Sequence, residues 1–258
     1  MTSRTAQAQR RNQSVQKAAA VLRAAASAPE GVTVSELARR AGLPRATALR
    51  MVEALVAERF LRRLPDERVV LGSGLLGIAR AADPEAILLE AAEQPLTELA
   101  ARLPETITLT VSRPDGSLEI VRQLDGPRML GLTNWVGRAF PVHASSSGKL
   151  ALALGGESVR RRLPARLARH ASRTITSRKE LDAELVRVGE RGYAEIVDEL
   201  EDGLAAVSVP IMLDGELVAS INASGPTLRF DDAARERALP GLRRAAAKVE
   251  RRLVQGVE

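Results

Sequence analysis

The 258-residue chain contains no cysteine, which excludes disulfides, thiolate metal sites and a cysteine nucleophile. Phe, Trp and Tyr make up only 2% of it, so any core must be built from Leu, Val, Ile and Ala. Its two histidines, His143 and His170, are too few for a His-rich cluster, and neither a metal site nor a cofactor is expected. No run of about 18 apolar residues occurs, and nothing apolar follows the polar, basic start from Met1 to Asn12. Neither a membrane span nor a secretory signal is therefore read, and the default compartment is the cytoplasm. Lysine is scarce too: 34 of the 38 basic residues are Arg. With the abundant Ala, that bias fits a high-GC coding sequence, so a single Arg says little by itself.

What is present is a length suited to two modest domains and an ordinary soluble composition, 45% hydrophobic and 27% charged. Charge is unevenly spread. Residues 1–70 hold 13 Lys/Arg against 6 Asp/Glu, a net of +7, whereas the remainder holds 25 against 26, a net of −1. A basic N-terminal third on a neutral body points to a polyanion as its partner.

After a flexible arm over residues 1–12, Val15, Ala18, Ala19, Leu22, Ala25 and Ala26 recur at helical spacing, with Ser14 placed to cap. Beyond Pro29-Glu30-Gly31, Thr33 and Glu36 stand at capping-box spacing, and a short helix over about Val34 to Ala41 stops at Gly42. A third helix opens near Pro44 and runs to about Glu58. Ala38 and Gly42 have a physical reason: crossing helices need a small residue, and the turn needs positive φ. Phe60 to Leu64 and Arg68 to Leu71 read as strands around Pro65-Asp66-Glu67. Helix, helix-turn-helix and hairpin make residues 13–74 a winged helix. Its third helix would enter the major groove, with Arg45, Thr47 and Arg50 facing base edges and phosphates. Arg62, Arg63 and Arg68 on the wing would hold the DNA backbone or minor groove without reading sequence. The alternatives are exposed arginines that are merely solvated, or a winged helix used for protein contact.

Asp83-Pro84 signals a helix start, and residues 75–103 read as a linker helix region. From 104 onward the period changes to two: Ile107, Leu109 and Val111 alternate with Thr106, Thr108 and Thr110, and a Pro114-Asp115-Gly116 turn leads to Leu118, Ile120 and Leu124. Val207, Val209 and Ile211 repeat the theme, as do Leu217, Ala219, Ile221 and Ala223 after Asp214-Gly215. Helices are expected over about Ser145 to Leu154, over Ser177 to Arg191 with a Gly192 stop, and after Asp231 with a possible interruption at Pro240. The fold class is α+β, with an antiparallel sheet in residues 104–258. The second face of that sheet offers Thr, Ser, Ala and Asn where long charged side chains would be usual. Such a floor suits a small-molecule pocket, or else a polar face that helices cover.

Taken together the segments resemble the IclR family of transcription regulators over nearly the whole chain. The stretches QSVQKAAAVLRAAA and SELARRAGLPRATALRMVEAL, with the wing, are similar to that family's DNA-binding domain. VGRAFPVHASSSGKLALA, RGYAEIVDELEDGLAAVSVPI and SINASGP follow in the family's order and spacing. The resemblance implies a GAF-like effector-binding and oligomerisation domain, a homodimer or homotetramer, palindromic double-stranded operator DNA, and a small-molecule effector that is an organic or aromatic acid. It places effector contacts at Ala144, Ser145, Ser146 and Ser147, at Leu204 and Ala206, and at Asn222 and Ser224. A helix start at that first cluster is a natural carboxylate site. Ile196 and Ala206 stand where relatives carry polar or thiol residues, and Trp135 is a further departure. Glu199 has two readings, a structural carboxylate or an effector contact. His143 reads as packed or capping.

Two rival functions remain. Ser146 and Lys149 have the S-x-x-K spacing of penicillin-binding hydrolases, but the K-T-G and S-D-N elements are missing, and Gly148-Lys149 lacks the leading Gly of a phosphate loop. The other rival is a DNA-binding protein that senses no ligand.

Overall fold

A computed structural model describes residues 2–113, 115–127, 134–138 and 140–255, with side chains from residue 13 onward except at 80 and 158. Pro114, part of the expected turn before Asp115, lies outside the described residues. The chain divides into two compact units, Met1–Asp83 and Pro84–Glu258. No described helix is long and apolar enough to cross a membrane.

The first unit contains α1 (Thr2–Ala26), α2 (Val34–Arg40), α3 (Arg45–Ala57), β1 (Leu61–Arg63), β2 (Val69–Leu71) and α4 (Gly74–Ala81). Val21 and Ala25 of α1, Leu37 of α2, Val52 and Leu55 of α3, and Leu61 and Val69 of the hairpin share one core. The Thr33 hydroxyl accepts the Glu36 N–H and caps α2 as its spacing requires. Gly42 has φ +65° with open space where a Cβ would be, so its backbone conformation, not crowding, calls for glycine. Ala38 is buried, and its carbonyl accepts the Leu43 N–H across the turn. β1 and β2 pair antiparallel, Leu61 with Leu71 and Arg63 with Val69. Val32 adds a bridge to Val69 that fastens the α1–α2 connection to the wing.

Two expectations for this unit change. The residues read as a flexible arm carry the same helical backbone as the rest of α1, so Ser14 lies inside that helix and does not begin it. The physical reason is composition: Ala, Gln and Arg dominate the segment, and all three favour helix. The linker region consists of two helices, α4 and α5, and the boundary between the units falls between them at Asp83 and Pro84.

The second unit contains α5 (Pro84–Ala100), β3 (Thr106–Ser112), β4 (Leu118–Leu124), a 3-10 turn (Val142–Ala144), α6 (Ser146–Leu154), α7 (Gly156–Arg161), α8 (Arg178–Arg191), β5 (Ala194–Val197), β6 (Leu204–Leu213), β7 (Glu216–Pro226) and α9 (Asp232–Gln255). The strands form one sheet in the order β4-β3-β7-β6-β5, antiparallel at every pairing. Ile107, Leu109, Val111, Val207, Val209, Ile211 and Ile221 project to one face, where Leu88, Leu96 and Leu99 of α5 and Leu242 and Val249 of α9 bury them. The other face carries Thr108, Thr110, Ser208, Ser220 and Asn222, and these are buried as well, because α6 lies against β5, β6 and β7. Ser177 caps α8 and Gly192 ends it in the left-handed conformation at φ +71°. α9 runs on through Pro240 without interruption.

Candidate functional site

Two surfaces carry the candidate residues, one in each unit. In the first, the buried side of α3 is Ala48, Val52 and Leu55. Its period leaves Arg45, Ala46, Leu49 and Arg50 exposed, with Thr47 half-buried. Arg45 and Arg50 have no ion-pair partner among the described residues. Leu49 is 39% exposed; sequence reasoning passed over it, although its i,i+4 spacing locates it beside Arg45.

The wing arginines divide by their partners. Arg62 is exposed and unpaired among the described residues. Arg63 reaches Glu67 at 3.2 Å, and Arg68 reaches Asp66 at 2.5 Å, holding the Asp66 carboxyl below its usual range. Both pairs are solvent-exposed and short-range in sequence, so each stabilises the wing little.

In the second unit a cavity of about 70 Å³ opens between the polar sheet face and the start of α6. Ser145, Ser146, Ser147, Leu204, Ala206, Asn222 and Ser224 line it, joined by Ile120, Trp135, Phe140, Ile196 and Leu200. No described lining residue is charged. Ser145 caps α6 by accepting the Gly148 N–H, and the N–H groups of Ser146 and Ser147 open the helix without a carbonyl inside it. A Cβ on Gly148 would stand 2.0 Å from the Val142 carbonyl oxygen, so only glycine lets the preceding turn fold over this helix start.

The polar groups of the floor are mostly spoken for. Asn222 Nδ2 donates to the Thr108 and Thr110 hydroxyls at 2.9 and 2.8 Å, and its Oδ1 accepts from Ser220 at 3.1 Å. The Ser208 hydroxyl donates to Ser146 Oγ at 2.7 Å, tying α6 to β6. Asn222 and Ser146 thus shape the cavity more than they offer it hydrogen bonds.

Ala144 and Glu199 stand apart from that lining. Ala144 is fully buried in the 3-10 turn. The Glu199 carboxylate is buried and accepts from Lys149 Nζ at 2.6 Å. Burial pushes its carboxyl up, and Lys149 opposes that shift. Lys149 itself is 1% exposed; its spacing from Ser146 makes no hydrolase pair, because the amine is committed to Glu199. His143 Nε2 lies 2.9 Å from the Ala168 carbonyl oxygen and beside the His170 ring, and burial lowers its pKa.

A winged helix-turn-helix with unpaired arginines on its third helix, in a chain whose second unit is a helix-covered antiparallel sheet, defines a DNA-binding transcription regulator. Residues 84–251 match the model for the bacterial transcriptional regulator IclR C-terminal domain, and residues 14–65 match that for the IclR helix-turn-helix domain. The chain belongs to the IclR family of transcription regulators, which are not enzymes. It is 33% identical over 228 residues to an HTH-type transcriptional regulator of Mycobacterium tuberculosis, covering 84% of each chain. Among solved structures it is similar to an IclR homolog from Microbacterium sp. strain HM58-2, with 29% identity, a TM-score of 0.59 and coverage of 88% of this chain and 92% of that one. An IclR homolog complexed with 4-hydroxybenzoate from Microbacterium hydrocarbonoxydans is 28% identical, with a TM-score of 0.58 and coverage of 93% and 98%.

Proposed function

We propose that this regulator binds a palindromic operator as a homodimer or homotetramer in the cytoplasm, and that a compact monocarboxylic acid modulates its operator affinity. Arg45, Thr47 and Arg50 read base edges and nearby phosphates, and Leu49 adds an apolar contact suited to a thymine methyl. Arg62 holds the phosphate backbone, with Arg63 and Arg68 recruited as their carboxylates give way.

The observation that supports the acid is the cavity lining. A helix N-terminus supplies Ser146 and Ser147 N–H groups and a positive dipole end at one side, and the rest of the described lining is apolar or neutral. One carboxylate is matched by one helix start; a second would meet no cation among the described lining residues. Ile120, Trp135, Phe140, Ile196, Leu200 and Leu204 suit an apolar or aromatic body. The 4-hydroxybenzoate bound by the Microbacterium relative has this form, which makes it the natural probe.

Trp135, the single tryptophan of the chain, lines the cavity and reports on it directly. Titrating 4-hydroxybenzoate should change its fluorescence saturably, and succinate should not. Equal responses to both acids, or to neither, would remove the monocarboxylate reading.

A further inference from the structure

The strand and loop that wall the acid pocket are hollow behind. Ile196 of β5 lines the pocket on one side; on the other it faces a second cavity of about 410 Å³, bordered by Lys149, Arg173, Glu184, Glu195, Glu199 and Arg235 among others. The loop that follows, residues 198–203, sends Leu200 into the pocket and Glu199 to the second cavity. Ile196 is buried and β5 is paired to β6, so the strand is held by packing and its ladder, whereas the loop that follows relies on directed bonds.

The loop is bonded on several sides: the Asp198 N–H donates to the Leu204 carbonyl, the Arg173 N–H to the Asp198 carbonyl, the Thr227 N–H to the Gly203 carbonyl and the Ser172 N–H to Asp202 Oδ1. Asp198 Oδ1 accepts the Gly203 N–H within the loop, and the Thr174 hydroxyl donates to the Glu199 carbonyl at 2.6 Å. Among the described residues the bond that ties the loop to α6 is Lys149 Nζ to Glu199 Oε1 at 2.6 Å, spanning 50 residues, with the Glu195 carbonyl also within 3.5 Å of the amine. Lys149 sits one turn along α6 from the N–H groups assigned to the carboxylate. The ion pair therefore connects the two parts of the pocket, the anion-binding helix start and the apolar wall.

We infer that Lys149 and Glu199 are positioning residues for the effector: their buried ion pair is a strut that fixes the Ile196–Leu204 wall against α6. The inference rests on the acid-binding reading of the pocket. A buried pair of this kind is often no more stabilising than a well-packed apolar pair of similar volume, and Glu199 Oε2 has no hydrogen-bond partner in the described structure. Stability alone is a poor reason for it; a defined distance and direction is a better one, since two apolar side chains can slide where an ion pair cannot.

The test uses the full-length protein and three variants: Lys149→Met, Glu199→Gln, and the double variant Lys149→Met/Glu199→Leu. Thermal unfolding, operator affinity, 4-hydroxybenzoate affinity and acrylamide quenching of Trp135 without ligand are measured for each. The double variant should regain most of the unfolding temperature lost by Lys149→Met and keep operator affinity within about threefold. It should still bind 4-hydroxybenzoate at least tenfold more weakly and quench more readily than the wild type. If it matches the wild type in acid affinity and quenching, the pair is merely structural and the inference is overturned. If the wild type itself ignores the acid, the pocket reading fails for that ligand, and the quenching comparison alone decides whether the pair fixes the wall.

Discussion

At the scale of single residues, arginines with no ion-pair partner among the described residues differ in role from those already engaged. Arg45→Ala or Arg50→Ala should weaken specific operator binding by about 1–3 kcal/mol if the side chain makes a bidentate base contact, measured by mobility shift at fixed salt. Arg62→Ala should lower affinity for all sequences alike and flatten the salt dependence, because a phosphate contact carries no sequence information. The exposed arginines were legible in the sequence because a helix needs only its apolar period to orient them. The Lys149–Glu199 pair was not: its partners are 50 residues apart, and nothing local in either segment marks the other. The same holds for Asn222, whose amide is consumed by Thr108 and Thr110 more than a hundred residues away.

His143 gives a pH prediction at this scale. Burial favours its neutral form and lowers its pKa from 6.5. Its share of stability is therefore full above the unfolded value near 6.5 and is lost as pH falls toward the depressed folded value. Calorimetric unfolding temperatures should decline below about pH 6.5, and His143→Gln should flatten that decline. An identical pH profile in the variant would show that other groups set it.

At the scale of elements, caps were readable signals except at Ser14, where the helix continues upstream. Thr33, Ser177 and Gly192 act where their spacing places them, since a cap is a local hydrogen bond or a local φ. Signals without a cap fared differently. β5 has four residues and α7 six, too short for either period to emerge, and α9 absorbs Pro240 because its apolar face is already buried against α5 and the sheet. The polar sheet face was readable as a pattern, but not its covering by α6, which depends on tertiary contact. The tightest constraint on an element is Gly148. Gly148→Ala puts a methyl group against the Val142 carbonyl, so the helix start must move. Thermal unfolding should show a loss of about 1–3 kcal/mol, with acid binding weakened further; a variant of wild-type stability and affinity would mean that the turn over α6 is pliable.

At the scale of the whole molecule, the division of labour follows the charge. The net +7 of residues 1–70 belongs to the unit with the winged helix, and the near-neutral remainder encloses the pocket. Operator binding should fall steeply with salt, as counterions are released from the phosphates, while acid binding, with no charged residue in the described lining, should barely change. An acid alters operator affinity only to the extent that it binds two conformations of the protein unequally. The direct measurement is a mobility-shift titration of the protein on its own upstream DNA at one fixed ionic strength, with and without saturating 4-hydroxybenzoate. The expected result is a specific complex whose dissociation constant changes severalfold when the acid is present. An unchanged constant despite saturated Trp135 fluorescence would contradict a regulator that reads this acid.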